Sequence, residues 1–337
     1  MKESIDGVGP QAHTHPGAAA MRGRRHCGLR ETVTSAQSHR MATNKWTAAD
    51  IPDLNGKTVV VTGASSGIGV PTTIELAKAG AHVVLAVRNV AKGKDVARRA
   101  GRRTEVRQLE LTNLASVRAF AAAWSGPLDV LINNAGIMMV PYGKTADGFE
   151  LQIGTNHLGH FALTNLLLPH ITDRVVTVSS QLHRGGHVDV DDLNWERRKY
   201  DSSQAYGDSK QANLLFTLEL QRQLQAAGNT VRAVSAHPGV ASTNLGSHLR
   251  GFRGMMMYIG ITVIAQDPEH GALPTLYAAT QDIPGNTYVG PGGLGQMRGA
   301  PVVTAPSKSS QDPDLAKRLW ARSAELTGVG SPLLTRV

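Results

Sequence analysis

A doubly wound α/β domain on a mainly parallel sheet is the fold this sequence predicts, and three observations carry it. Short β-branched runs alternate with helix-period segments from residue 57 onward. The first of these strands runs straight into a glycine-rich turn and then a helix. The chain of 337 residues is 41% hydrophobic and 18% charged, which allows a large core, and no change of composition divides it into domains.

Taken in order, residues 1–45 carry Gly, Ala, His, Ser and Arg without apolar periodicity and read as a disordered tail with no signal-peptide core. Met41 could equally be the true start. The single cysteine, Cys27, lies in that tail, so no internal disulfide is expected and a reducing, cytoplasmic home is the natural one. Lys57-Thr58-Val59-Val60-Val61-Thr62 reads as a buried parallel strand. The turn Gly63-Ala64-Ser65-Ser66-Gly67-Ile68-Gly69 then opens a helix carrying Ile74, Leu76 and Ala77. Glycines there let the backbone approach a pyrophosphate, and the free N–H groups of the helix start face its charge. Pro71 falls in the first turn, where its missing N–H costs nothing.

His82-Val83-Val84-Leu85-Ala86-Val87 closes a βαβ unit, and its end bears on cofactor choice. A carboxylate there would suit ribose hydroxyls, whereas Val87 is followed by Arg88, a cation suited to a 2′-phosphate. Helix 91–100, strand 105–109, helix 114–124 and strand 128–132 continue the alternation, and Asn133-Asn134-Ala135-Gly136 ends the last of these at the sheet edge where such folds bind ligands. A long helix is expected over 147–168, with Asn156 among Leu151, Ile153, Leu158 and Leu163, where an amide is costly unless bonded. Strand 174–178 ends in Ser179-Ser180, and a loop of polar and glycine residues leads to Tyr206. Tyr206 and Lys210, four apart on a helix, share a face. An ammonium held beside the phenol is expected to lower its pKa from about 10, making it a proton donor and acceptor.

Together these residues resemble the short-chain dehydrogenase/reductase superfamily, over about residues 50–330: Thr62-Gly63-x-x-x-Gly67-x-Gly69, Asn133-Asn134-Ala135-Gly136, Asn156, Ser180, Tyr206-x-x-x-Lys210 and Pro238-Gly239 stand in its order. Asn156-His157-Leu158-Gly159-His160-Phe161, His237-Pro238-Gly239-Val240, Glu269-His270-Gly271-Ala272 and Tyr288-Val289-Gly290-Pro291 are most similar to its retinol dehydrogenase-like branch. The resemblance implies one Rossmann-type domain, residues 46–330, with a mainly parallel seven-stranded sheet. It implies Tyr206 as acid/base, Lys210 on the nicotinamide ribose, Ser180 on the substrate oxygen and Asn156 holding a relay water. The cofactor would be NADP, with NAD as the alternative. It would lie against Gly63, Ser65, Ser66, Gly67, Ile68, Gly69, Arg88, Glu110, Leu111, Asn134, Ala135, Gly136, Tyr206, Lys210, Pro238 and Gly239, with Thr243 at the carboxamide. Two residues depart from the pattern: Glu110 stands where the family has Asp, and Ser66 where NADP-dependent members are often basic.

The expected partner is a small apolar carbonyl or alcohol, with homo-oligomerisation open. The net charge of +9 comes from scattered cations, so nucleic acid is not expected. His157 with His160, and His183 with His187, lack the carboxylates or cysteines that would complete a metal site. Residues 251–264 are apolar but too short to span a bilayer, and read as core, as a substrate lid or, least of the three, as a membrane contact. A catalytically silent cofactor sensor or scaffold on the same fold is the rival reading. It would need the glycine loop without the acid set. A non-redox enzyme such as an epimerase would show a more NAD-adapted strand end.

Overall fold

The structure is a computed structural model that describes residues 45–239 and 267–333. The tail with Cys27, Thr243 and the 251–264 segment lie outside the described residues. Eight strands form one sheet: β1 (Thr58–Thr62), β2 (His82–Val87), β3 (Thr104–Gln108), β4 (Leu128–Asn133), β5 (Ile171–Val178), β6 (Arg232–Ala236), β7 (Tyr288–Pro291) and β8 (Pro301–Thr304). Their order is β3-β2-β1-β4-β5-β6-β7-β8. All pairs are parallel except β7 with β8. The strand beyond the expected seven is β8, which folds back antiparallel on β7 and carries exposed Val302 and Val303 on the sheet edge.

The central strands are apolar on both faces because both faces are covered. Val60, Val84, Leu131 and Val175 point to one side, against Phe120 of α3 (Leu114–Ala122), Phe161 of α5 (Gly159–Leu167), Phe216 of α6 (Ser202–Ala226) and Trp320 of α8 (Pro313–Thr327). Val59, Val61, Leu85 and Ile132 point to the other, against Leu76 of α1 (Gly69–Lys78), Val96 of α2 (Val90–Ala100) and Leu276 of α7 (Pro268–Thr280). Truncating one of these buried leucines to alanine should cost about 2–5 kcal/mol.

The helix expected over 147–168 starts later and is not regular. Gly148 sits at φ +86 in a turn whose N–H donates to Thr145 O at 3.0 Å, a conformation that ends any helix reaching it. Asp147 instead caps α3, accepting from Leu114 N at 2.8 Å. The helical path opens with the short α4 (Leu151–Ile153), capped by Glu150 accepting from Ile153 N, widens into a π-turn over Gly154–Leu158, and continues as α5. Such wide turns concentrate at functional sites, and this one carries Asn156. The helix α6 is capped by Asp201, which accepts from Ser203 N and Gln204 N at 2.9 Å each. It presents Tyr206 about one turn and Lys210 about two turns inside its start.

Candidate active site

The strand order reverses between β1 and β4, and ligands of open α/β sheets bind in the crevice at such a switch point. Here the crevice is closed at its base by backbone. Thr62 Oγ1 accepts from Asn134 N at 2.9 Å and Ala135 N at 3.0 Å, while Asn134 Nδ2 donates to Thr62 O at 2.8 Å. Gly63 has φ +66, and a Cβ there would meet Ala135 Cα at 2.9 Å. A Cβ on Gly69 would strike Gly63 O at 2.5 Å. Ser65, Ser66, Gly67 and Ile68 form the loop between them, with Ser66 exposed and Ile68 as the N-terminal cap position of α1.

This cradle fits a dinucleotide on two counts. It holds side-chain-free backbone at a helix start, and it holds the Asn134 Oδ1 acceptor, buried with no partner among the protein groups. Ala135 and Gly136 follow Asn134 along the crevice. A Cβ on Gly136 would come within 3.2 Å of Asn156 Oδ1 and 3.3 Å of Lys210 Nζ, so glycine keeps that passage open.

Arg88 and Glu110 are brought together rather than apart. Arg88, immediately after β2, has a side chain 77% exposed, with Nε 3.8 Å from Glu110 Oε2. Glu110 also accepts from Thr112 N at 3.1 Å and Thr112 Oγ1 at 2.8 Å. An exposed pair at that distance contributes about 0–1 kcal/mol, so the guanidinium can exchange the carboxylate for a phosphate at little cost. Leu111, next in the chain, is buried against Gly159.

At the carboxyl ends of β5 and β6 the side chains of Ser180, Tyr206 and Lys210 converge. The Ser180 side chain acts on the Tyr206 hydroxyl, favouring its charged form. Lys210 Nζ lies 5.7 Å from the centre of the Tyr206 ring and donates to Val178 O at 3.1 Å. The expectation that the ammonium lowers the phenol pKa is not met by the protein groups alone. Both side chains are buried, and desolvation penalises each charged form. It pushes the Tyr206 hydroxyl up to about 12 against the smaller opposing pull of Ser180, and brings the Lys210 ammonium down to about 8. Lys210 faces the ring and a carbonyl, with Val178 O as the partner of its Nζ, so burial decides.

Asn156 is buried and committed. Its Oδ1 accepts from Ile137 N at 2.8 Å, and its Nδ2 donates to Ile137 O and Ser209 Oγ, each at 2.9 Å. The side chain braces the segment after Gly136 onto α6. Only one Oδ1 lone pair is left for the expected water.

Pro238 and Gly239 follow β6, with Gly239 at φ +69 and its N–H donating to His237 Nδ1 at 3.2 Å.

Several neighbours have roles that the sequence did not assign them. His183, three residues past Ser180, accepts from Ser307 N on Nε2 at 3.1 Å and therefore donates from Nδ1 to Ser180 O at 2.6 Å, pinning the serine backbone. His237 Nε2 meets Gln296 Oε1 at 3.2 Å, and Gln181 Nε2 donates to the same oxygen at 2.5 Å, joining the Ser180 loop to the β7–β8 turn. Burial holds both histidines near pKa 4. The signal available was adjacency: each lies within three residues of a motif residue. His157 and His160 go to separate partners, Ser323 Oγ at 2.8 Å and Thr62 Oγ1 at 2.9 Å. Among the described residues, no helix is long and apolar enough to cross a membrane.

Comparison with known proteins agrees with this geometry. The family model described as short chain dehydrogenase matches residues 57–253. Human retinol dehydrogenase 13 is 42% identical over 297 residues, covering 82% of this chain and 86% of that protein. Mouse polyprenol dehydrogenase is 38% identical over 315 residues, covering 88% of this chain and 92% of its own. A crystal structure of an uncharacterised protein from Mycobacterium paratuberculosis matches with a TM-score of 0.76 at 51% identity, covering 86% of this chain and all of that one. A switch-point cradle, a buried Tyr206–Lys210 pair beside Ser180 and relatives of this closeness have one meaning: the chain belongs to the short-chain dehydrogenase/reductase superfamily, on its retinol dehydrogenase-like side, and is an NAD(P)-dependent oxidoreductase of alcohol and carbonyl groups.

Proposed function

We propose that this chain is an NADP(H)-preferring reductase and dehydrogenase of a long apolar aldehyde or alcohol, with Tyr206 as its proton donor. The observation that carries the reading is the convergence of Ser180, Tyr206 and Lys210 at the carboxyl ends of β5 and β6, with Lys210 Nζ 5.7 Å from the Tyr206 ring centre and the phenol buried, which favours its protonated form. The cofactor supplies the hydride chemistry. The chain's own residues then do the rest. Ser180 and Tyr206 together present two hydroxyls to one substrate oxygen. The Tyr206 proton moves to that oxygen in carbonyl reduction, and returns to the phenolate in alcohol oxidation.

Lys210, with its pKa near 8, is largely an ammonium at pH 7 and can hold the ribose hydroxyls beside Tyr206. Gly63, Gly67 and Gly69 would receive the pyrophosphate, and Arg88 would take the 2′-phosphate in place of Glu110. The apolar substrate class is supported by the names of relatives that act on retinol and polyprenol. The test is a turnover screen of retinaldehyde, decanal and short polar aldehydes with NADPH and NADH. Preference for the apolar aldehydes with NADPH is expected. Turnover confined to polar substrates, or equal use of the two cofactors, would refute it.

A further inference from the structure

His160 lies outside the acid set, yet it stands between the two halves of the site. It is 1% exposed, with Nε2 2.9 Å from Thr62 Oγ1 and Nδ1 3.0 Å from Asn156 O. Thr62 ends β1 directly before Gly63, and Asn156 is the centre of the π-turn. The polarity of both bonds follows from their partners. A carbonyl oxygen only accepts, so Nδ1 carries a proton. Thr62 Oγ1 already accepts two backbone N–H groups, from Asn134 and Ala135, which fill its lone pairs. Its own proton must therefore be donated, and His160 Nε2 at 2.9 Å is nearer than Ile132 O at 3.3 Å. A second proton on the ring would face an oxygen with nothing left to accept it.

We propose that His160 is a positioning residue: a permanently neutral, Nδ1-protonated imidazole that locks the end of the glycine-cradle strand to the Asn156 turn. A one-way run of hydrogen bonds results, from the Asn134 and Ala135 amides to Thr62, through the ring, to the Asn156 carbonyl. It ties the backbone that would receive the cofactor to the turn whose side chain braces Ile137 and Ser209. Burial agrees with the assignment, pulling the ring down to about pKa 4, with the Lys210 charge adding to the shift. His157, the other titratable group coupled to it, is held near 3 by its own burial.

The inference rests on the redox reading for its kinetic consequence but not for its structural one, so the test has two arms. In the first, 15N NMR of the histidine-labelled full chain is recorded from pH 5.5 to 8, with His160 assigned among the 13 histidines by the signal lost in His160→Asn. A pyrrole-like Nδ1 and pyridine-like Nε2 that do not titrate are expected. An Nε2-protonated or titrating ring overturns the proposal. In the second, kcat for decanal and retinaldehyde is measured per NADPH-binding site. His160→Phe should lose about tenfold or more in kcat, since reacting groups tolerate little misplacement. Its NADPH dissociation constant should stay within about threefold, because Thr62 still holds the Asn134 and Ala135 amides at the base of the cradle. His160→Asn, which keeps a donor near the Asn156 carbonyl, should recover part of the loss. Equal loss in the two variants, or unchanged kcat in His160→Phe, overturns the positioning role. If the unmodified protein turns over neither aldehyde, the redox reading fails, and the NMR arm still decides the lock.

Discussion

The two ends of the site are built on different physics. At the β1–β4 end, recognition is made of backbone: Gly63 and Gly69 leave room that a single Cβ would close, and Asn134 Oδ1 is a buried acceptor without a protein partner. At the β5–β6 end it is made of side chains taken out of water, where burial favours the uncharged form of each, raising the Tyr206 pKa to about 12 and lowering that of Lys210 to about 8. The first end is tuned by sterics and is indifferent to pH. The second is tuned by desolvation and is governed by pH. A binding defect and a chemical defect should therefore be separable by mutation.

The largest expected effect lies at the side-chain end. Tyr206→Phe removes the donor while keeping the ring, so turnover should fall by about 10²- to 10⁴-fold. NADPH affinity, measured by nicotinamide fluorescence, should hardly change. Near-normal turnover would remove Tyr206 from the chemistry. At the backbone end, Arg88→Ala should weaken NADPH binding by roughly 10- to 150-fold, the worth of one charge-assisted contact to a phosphate, and leave NADH nearly untouched. Val87→Asp should reverse the order of the two cofactors. An Arg88→Ala protein that binds NADPH as before would place 2′-phosphate recognition elsewhere.

A smaller effect concerns acid stability. His160, His183 and His237 have pKa values near 4 in the fold, against about 6.5 unfolded. Between those values the unfolded chain binds more protons, so stability is complete above about pH 6.5 and is lost progressively toward pH 4. The melting temperature should fall over that window with proton uptake on unfolding. A flat profile would mean that these rings are not neutral in the fold. The smallest effect is at the tail: removing residues 1–40 should leave melting temperature and turnover unchanged, because they carry no apolar face. A loss of several degrees would show that they pack.

The same contrast explains what the sequence made legible. Strands such as Val59–Val61 and the glycine turn were readable because burial on two faces and close backbone approach each demand particular residue types. The start of the long helix was misplaced because the Gly148 turn and the Glu150 cap outweigh an apolar pattern that runs past them. β8 was missed because a four-residue edge strand has no periodicity to read. Tyr206 and Lys210 were found by spacing, but the sign of the phenol shift was not. A four-residue separation says that two groups share a face, whereas the shift depends on how much water that face retains. The roles of Thr62, His160 and His183 were hidden for a related reason. Each acts through a partner distant in the chain, as Thr62 does through His160, ninety-eight residues away.

The pH dependence of kcat/KM for NADPH in aldehyde reduction, which reports the groups of the free protein, tests the central claim, that burial keeps Tyr206 an acid and leaves Lys210 as the titrating partner. With Tyr206 protonated up to about pH 12 and Lys210 losing its charge near 8, kcat/KM should be level from pH 6 to about 7.5 and fall as pH rises through 8. The fall should be absent from Lys210→Arg, which keeps its charge across that range. A kcat/KM that climbs between pH 7 and 9, or an unmodified protein and Lys210→Arg with the same profile, would contradict it.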